Sequence, residues 1–134
     1  MKALVISGGG AKGAWAGGFV EYLVRKAGMT WDVLIGSSTA SLLVPLIAVE
    51  AFDDLKRAYT TSHQYDIFSN CPFYLHKTQE GFRASFNHFR IILQFLQGRK
   101  TFGESRNLKQ LIRRTFPEST WEALQASGKQ VIAT

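Results

Sequence analysis

The chain has 134 residues, 46% of them apolar and 19% charged, which suits one folded domain spanning 1–134 and excludes disorder. A single cysteine, Cys71, excludes an internal disulfide framework and is read as a reduced, buried thiol; no acid or histidine cluster supports a metal, and no cofactor is expected. The net charge of +6 favours anionic partners, yet it is scattered in pairs such as Arg25-Lys26 and Arg113-Arg114 rather than gathered in a stripe, so nucleic acid is not expected among them.

Ala3-Leu4-Val5-Ile6 is a continuous apolar run that suits a strand buried on both faces of a parallel sheet, and it ends in four glycines within Gly8–Gly13. Trp15, Phe19, Tyr22 and Leu23 then fall on one helical stripe, closed by Gly28 at a capping position. Trp31–Ile35 reads as a second buried strand, stopped by Gly36, and Leu42–Tyr59 as a helix with Pro45 in its first turns. Thr60–Thr78 is loop-like around Asn70-Cys71-Pro72. Phe82, Phe86, Phe89, Leu93 and Leu96 recur at helical spacing and predict a helix over Gly81–Gln97. Its opposite face carries Arg83, Asn87, Arg90, Gln94 and Gln97, so it either packs on the core or caps the active site and docks on lipid. Asn107–Phe116 is a shorter amphipathic helix ended by Pro117, Ser119–Glu122 caps a last helical turn, and Gln130–Thr134 begins a third strand. This order specifies an α/β fold, an open, mostly parallel sheet with flanking helices and right-handed crossovers.

The apolar runs Ala3–Ile6 and Leu42–Val49 are too short for a signal h-region and a bilayer span, which predicts a cytoplasmic protein. The chain stops on its third strand, as a portion of a longer domain would.

Two turns carry chemistry. Gly8-x-Gly10-x-x-Gly13 matches the dinucleotide fingerprint, whose exposed N–H groups beside a helix start suit a pyrophosphate or an oxyanion equally. A dinucleotide fold needs a ribose-binding acid at the carboxyl end of strand two. Asp32 lies instead at its amino end, and the carboxyl end holds Gly36-Ser37-Ser38-Thr39-Ala40-Ser41. A serine flanked by small residues at a strand-to-helix turn is the setting of a nucleophile elbow, and Ser38 has Gly36 and Ala40 as its flankers, whereas Ser37 has β-branched Ile35 and Thr39. From this turn alone, Ser38 or Thr39 could equally be a helix cap.

Together, "GGGAKG" and "GSSTAS" resemble the patatin-like phospholipase family, which pairs a glycine-rich oxyanion loop with a G-x-S-x-G elbow on the next strand. The resemblance implies a lipid acyl hydrolase of the α/β-hydrolase-related three-layer kind. Ser38 is then the nucleophile, within the elbow Gly36, Ser37 and Ala40. Gly8, Gly9, Gly10, Ala11, Lys12, Gly13 and Thr39 form the oxyanion hole. Its substrate would be a fatty-acyl ester, with peripheral membrane contact. Lys12 holds the loop or adds positive potential. Ala40 departs from the family's last glycine but is small enough to keep the turn. The dyad aspartate, expected in a downstream Asp-Gly motif, has no counterpart here, since the chain contains no Asp-Gly dipeptide and the motif is expected outside it. His63, His76 and His88 show no triad spacing. A nucleotide-binding module and an inactive patatin-like scaffold are the alternatives.

Overall fold

A computed structural model describes residues 1–62, 64–67, 73–79, 81–98 and 106–134. They form two compact units, one of Met1–Ser62 with Ile112–Thr134, the other of His63–Leu111.

In the first unit, β1 (Ala3–Ile6) leads through a short 3-10 turn (Gly10–Lys12) into α1 (Gly13–Ala27), followed by β2 (Val33–Gly36), α2 (Ala40–Ala48) and α3 (Phe52–Thr61). The last turn of α6 (Arg106–Thr115), from Ile112 onward, then α7 (Glu118–Ala126) and β5 (Gln130–Ala133), complete it. The sheet is parallel, in order β1-β2-β5, with Leu4 opposite Leu34 and Leu34 opposite Val131. That row faces the core, where Leu34, Leu43, Val44, Leu46, Ile47 and Phe52 are almost wholly buried. Each such side chain contributes roughly 1.5–3 kcal/mol by leaving water.

The strands were expected to be covered on both faces, and among the described residues one face is. The alternate row is Val5, Ile35 and Ile132, and it leaves Val5 68% and Ile132 46% exposed. A continuous apolar run fixes a strand without saying how much of each face is covered.

The single helix predicted over Leu42–Tyr59 is two helices. α2 ends in a Schellman motif: the Glu50 N–H reaches the Ile47 carbonyl at 3.1 Å and the Ala51 N–H that of Leu46 at 2.9 Å, with Glu50 in the left-handed region at φ 58°. Glycine normally marks that position, and a glutamate there leaves no sequence signal. At the end of α1 the position does hold a glycine, Gly28 at φ 62°, as expected.

In the second unit, α4 (Gln64–Ile67) and β3 (Phe73–Thr78) occupy part of the stretch read as loop. β4 (Gly81–Phe86) pairs antiparallel with β3, Phe73 opposite Phe86 and Thr78 opposite Gly81, and α5 (His88–Leu96) follows. The helix predicted over Gly81–Gln97 is thus a strand and then a helix. Phe82-Arg83-Ala84-Ser85-Phe86 alternates with period two as well as fitting period 3.6, and strand pairing decides between them. The expectations for Cys71 and His63 lie outside the described residues. Among those described, no helix is long and apolar enough to cross a membrane.

Candidate active site

The register that sets Ile6 opposite Gly36 brings the carboxyl ends of β1 and β2 side by side, so the glycine loop and the serine turn leave the sheet together. Three hydrogen bonds join them. The Ser37 N–H donates to the Ile6 carbonyl (3.2 Å), the Gly8 N–H to Ser37 Oγ (3.2 Å) and the Gly9 N–H to Thr39 Oγ1 (3.3 Å). The last settles the capping alternative. Neither Ser38 nor Thr39 caps α2 with its side chain, and the Thr39 hydroxyl faces the glycine loop instead.

The turn is tight. Ala40, Ser41 and Leu42 donate to the carbonyls three residues back, those of Ser37, Ser38 and Thr39, at 3.0–3.2 Å. Ser38 itself is held at φ 53°, a left-handed conformation that costs a non-glycine residue roughly 1–2 kcal/mol. Strain of this kind persists only where the surroundings over-determine it. Here they do: the Ser38 N–H is fixed on the Thr134 carbonyl at 2.9 Å, and Ser41 Oγ bonds the carbonyls of Gly36 (3.1 Å) and Thr134 (2.9 Å). The Ser38 side chain emerges exposed, and its Oγ has no hydrogen-bond partner among the described residues.

Small residues are required at two places. A Cβ on Gly36 would meet the Ala40 carbonyl oxygen and lie 2.6 Å from its carbon. A Cβ on Gly8 would lie 2.6 Å from Ser38 Cβ, 2.9 Å from the Ser37 carbonyl oxygen and 3.2 Å from Ser38 Oγ. Gly8 is therefore the point where the loop touches Ser38. Ala40 is buried as the first residue of α2, where an alanine fits without strain.

Gly10, at φ 58°, turns the loop, and the Lys12 N–H closes it on the Gly9 carbonyl at 3.1 Å. The N–H groups of Gly10, Ala11 and Thr39 have no acceptor among the described residues. Unsatisfied donors on two adjoining loops are an anion-binding feature. The Lys12 side chain is exposed. Gly13 begins α1 against Tyr59, whose hydroxyl would stand 2.5 Å from a Cβ there and which donates to the Thr39 carbonyl at 3.4 Å. Burial pushes the Tyr59 hydroxyl above its ordinary pKa, and the nearby Thr39 side chain opposes that only in part.

Asp32 lies at the opposite end of the sheet, where its carboxylate accepts the Lys2 N–H at 2.5 Å and stands 3.7 Å from the amino terminus. His76 is exposed and bonds Ser85 at 3.0 Å, and His88 is exposed. Sequence reasoning missed Tyr59, Thr134 and the role of Ser41. All three act by spatial adjacency, for which a linear pattern carries no signal.

Comparison with known proteins adds one finding: the family model described as patatin-like phospholipase matches residues 4–131. No curated protein matches, and no solved structure does.

Proposed function

The chain belongs to the patatin-like phospholipase family, and from that premise we propose that it is a serine acyl hydrolase with Ser38 as nucleophile. Family membership implies action on lipid esters. The finer assignment rests chiefly on one observation: Ser38 alone in its turn is held at positive φ with an exposed, unpartnered Oγ beside the free N–H of Thr39.

Ser38 Oγ attacks the ester carbonyl carbon and passes its proton to the carboxylate of the family's dyad aspartate, for which the described residues offer no counterpart at Ser38. The carbonyl oxygen, now an oxyanion, accepts hydrogen bonds from Thr39 N–H and from Gly10 and Ala11 N–H. Gly9 is drawn into the set once its 3.3 Å bond to Thr39 Oγ1 yields. Gly8, Lys12 and Gly13 shape and anchor this loop. Such preorganised donors, each worth roughly 10²–10³ in kcat, are the main source of acceleration in acyl transfer. Collapse of the intermediate expels the alcohol, which takes back the proton, and water then releases the acyl group from Ser38.

The second unit supports peripheral contact with an anionic lipid surface. On α5, Phe89, Phe95 and Leu96 are each more than three-quarters exposed, and four of the six net positive charges fall within 63–111, where seven Lys and Arg meet three Asp and Glu. Exposed aromatics with basic neighbours suit insertion at a headgroup boundary.

A fluorophosphonate tests the nucleophile. It should label the protein at Ser38; Ser38→Ala should abolish labelling, and Ser37→Ala should slow it by loosening Gly8 while leaving the site of attachment unchanged. Labelling that survives Ser38→Ala removes the assignment, and failure to label the wild-type chain favours the inactive scaffold.

A further inference from the structure

Tyr59 is a half-buried titratable side chain that the proposed chemistry does not use, and its place follows from how α3 packs on α1. Their contacts run broadly in opposite directions along the two helices. The Arg25 guanidinium lies over the Phe52 ring, 5.5 Å from its centroid, and Lys56 Nζ stands 2.8 Å from Glu21 Oε1. Leu55 fills the space that a side chain on Gly17 would need, a Cβ there falling 2.6 Å from its Cδ2. The last contact sets Tyr59 on Gly13, where α1 begins and the glycine loop ends. Gly13 and Gly17 are thus two holes on one face of α1, and Tyr59 and Leu55, at the same spacing on α3, fill them.

The Tyr59 hydroxyl touches both halves of the candidate site. It is the atom that a Cβ on Gly13 would meet first, at 2.5 Å, and it donates to the Thr39 carbonyl at 3.4 Å. That carbonyl also accepts the Leu42 N–H at 3.2 Å, which closes the turn carrying Ser38. Gly13 follows directly on the loop that the Lys12 N–H closes at the Gly9 carbonyl. The two loops already bond each other through Gly8 and Gly9, and Tyr59 adds a brace from a separate element. Burial keeps the proton on this phenol, so at neutral pH it is a donor and not a base.

We propose that Tyr59 is a positioning residue whose hydroxyl braces the start of α1 against the nucleophile turn and so fixes the spacing between the glycine-loop donors and Ser38. It acts through Thr39 and Gly13. The chemical use of that spacing rests on Ser38 as nucleophile, but the brace itself can be read without turnover.

Amide hydrogen exchange on the 134-residue chain reads it. Tyr59→Phe removes the hydroxyl and keeps the ring. It should speed exchange about fivefold at Leu42 in the turn and at Lys12 in the loop, as loss of one hydrogen bond does. Val20 in α1 and Ile47 in α2 should exchange at the wild-type rate, whereas a residue that only packs would move all four alike. Gly13→Ala is the reciprocal change. Alone it should speed exchange at Lys12 and Leu42 about tenfold, because its Cβ must push the hydroxyl away. In the Tyr59→Phe background the nearest atoms are ring carbons at 3.0 and 3.2 Å, and the added effect should fall to about twofold. If Gly13→Ala does not fold alone, its recovery in that background is the same result. With a fluorophosphonate, Tyr59→Phe should lower the maximal labelling rate about fivefold at unchanged inhibitor affinity. Tyr22→Phe, at a ring exposed on α1, should match the wild type. Exchange raised equally at all four amides, or in one loop only, overturns the proposal. So does a Gly13→Ala effect equal in both backgrounds, or wild-type labelling kinetics in Tyr59→Phe. Exchange as expected without labelling of the wild-type chain would keep the brace and remove the hydrolase. Labelling with exchange unmoved by Tyr59→Phe would do the reverse.

Discussion

Replacing Gly8 by alanine probes the join between the two loops most directly. The added Cβ would lie 2.6 Å from Ser38 Cβ and 2.9 Å from the Ser37 carbonyl oxygen. Carbon atoms rest about 3.5–4.0 Å apart, so the loop and the serine must separate by about 1 Å. Neither neighbour is the free end of a flexible side chain, and Ser38 is tied by its N–H to Thr134. The shift therefore falls on the glycine loop and on the direction of Ser38 Oγ. A displacement of that size at a reacting group costs about 100-fold in rate, and the strain costs roughly 1–3 kcal/mol of stability. Steady-state hydrolysis of a soluble p-nitrophenyl ester, or the rate of fluorophosphonate labelling, reads the first; urea unfolding reads the second. Gly10→Ala is the comparison for steric pressure on Ser38, since its Cβ would meet nothing within 4 Å, while its φ of 58° strains the loop at one of the proposed oxyanion donors. Gly8→Ala should lower kcat with little change in KM and should be slower than Gly10→Ala in labelling. Labelling of Gly8→Ala at the wild-type rate would refute the claim that Gly8 sets the position of Ser38.

Two further outcomes follow from the same geometry. Ser38→Gly should abolish labelling yet raise stability by about 1 kcal/mol, because it relieves a left-handed serine; a thermal melt lower than wild type would show that Ser38 is not strained. Phe95→Asp, at a side chain 81% exposed, should leave stability within about 0.5 kcal/mol of wild type. It should at the same time weaken binding to vesicles of phosphatidylserine and phosphatidylcholine, and a large loss of stability without that loss of binding would mean that α5 packs inside the protein.

The strands of the first unit were legible because an apolar run ending in glycine leaves few alternatives, and β1, β2 and β5 lie where Ala3–Ile6, Trp31–Ile35 and Gln130–Thr134 were read. Two of the errors share one cause. Glu50 ends α2 with a backbone conformation that glycine usually marks, and Gly81–Phe86 satisfies two periodicities at once. In both places the deciding interaction joins residues whose partnership is set by folding, Ala51 to Leu46 in one and β4 to β3 in the other. Local pattern ranks the options there, and hydrogen bonding chooses.

The site divides along the same line. Ser38 was preferred to Ser37 because its flankers are small, and the geometry supplies a reason that the spacing lacked. Gly36 must be small because the Ala40 carbonyl occupies the place of its Cβ, whereas position 40 starts a helix and tolerates the Ala40 methyl. The two flanking positions of the elbow are thus unequal: one is forced by backbone contact, and the other needs only a compact side chain. A glycine-to-alanine change at the second position leaves the turn intact, and the same change at Gly36 would drive α2 away from β2. The departure of Ala40 from the G-x-S-x-G pattern therefore argues nothing against a working elbow, and the place to look for an inactive scaffold is the proton acceptor opposite Ser38 Oγ.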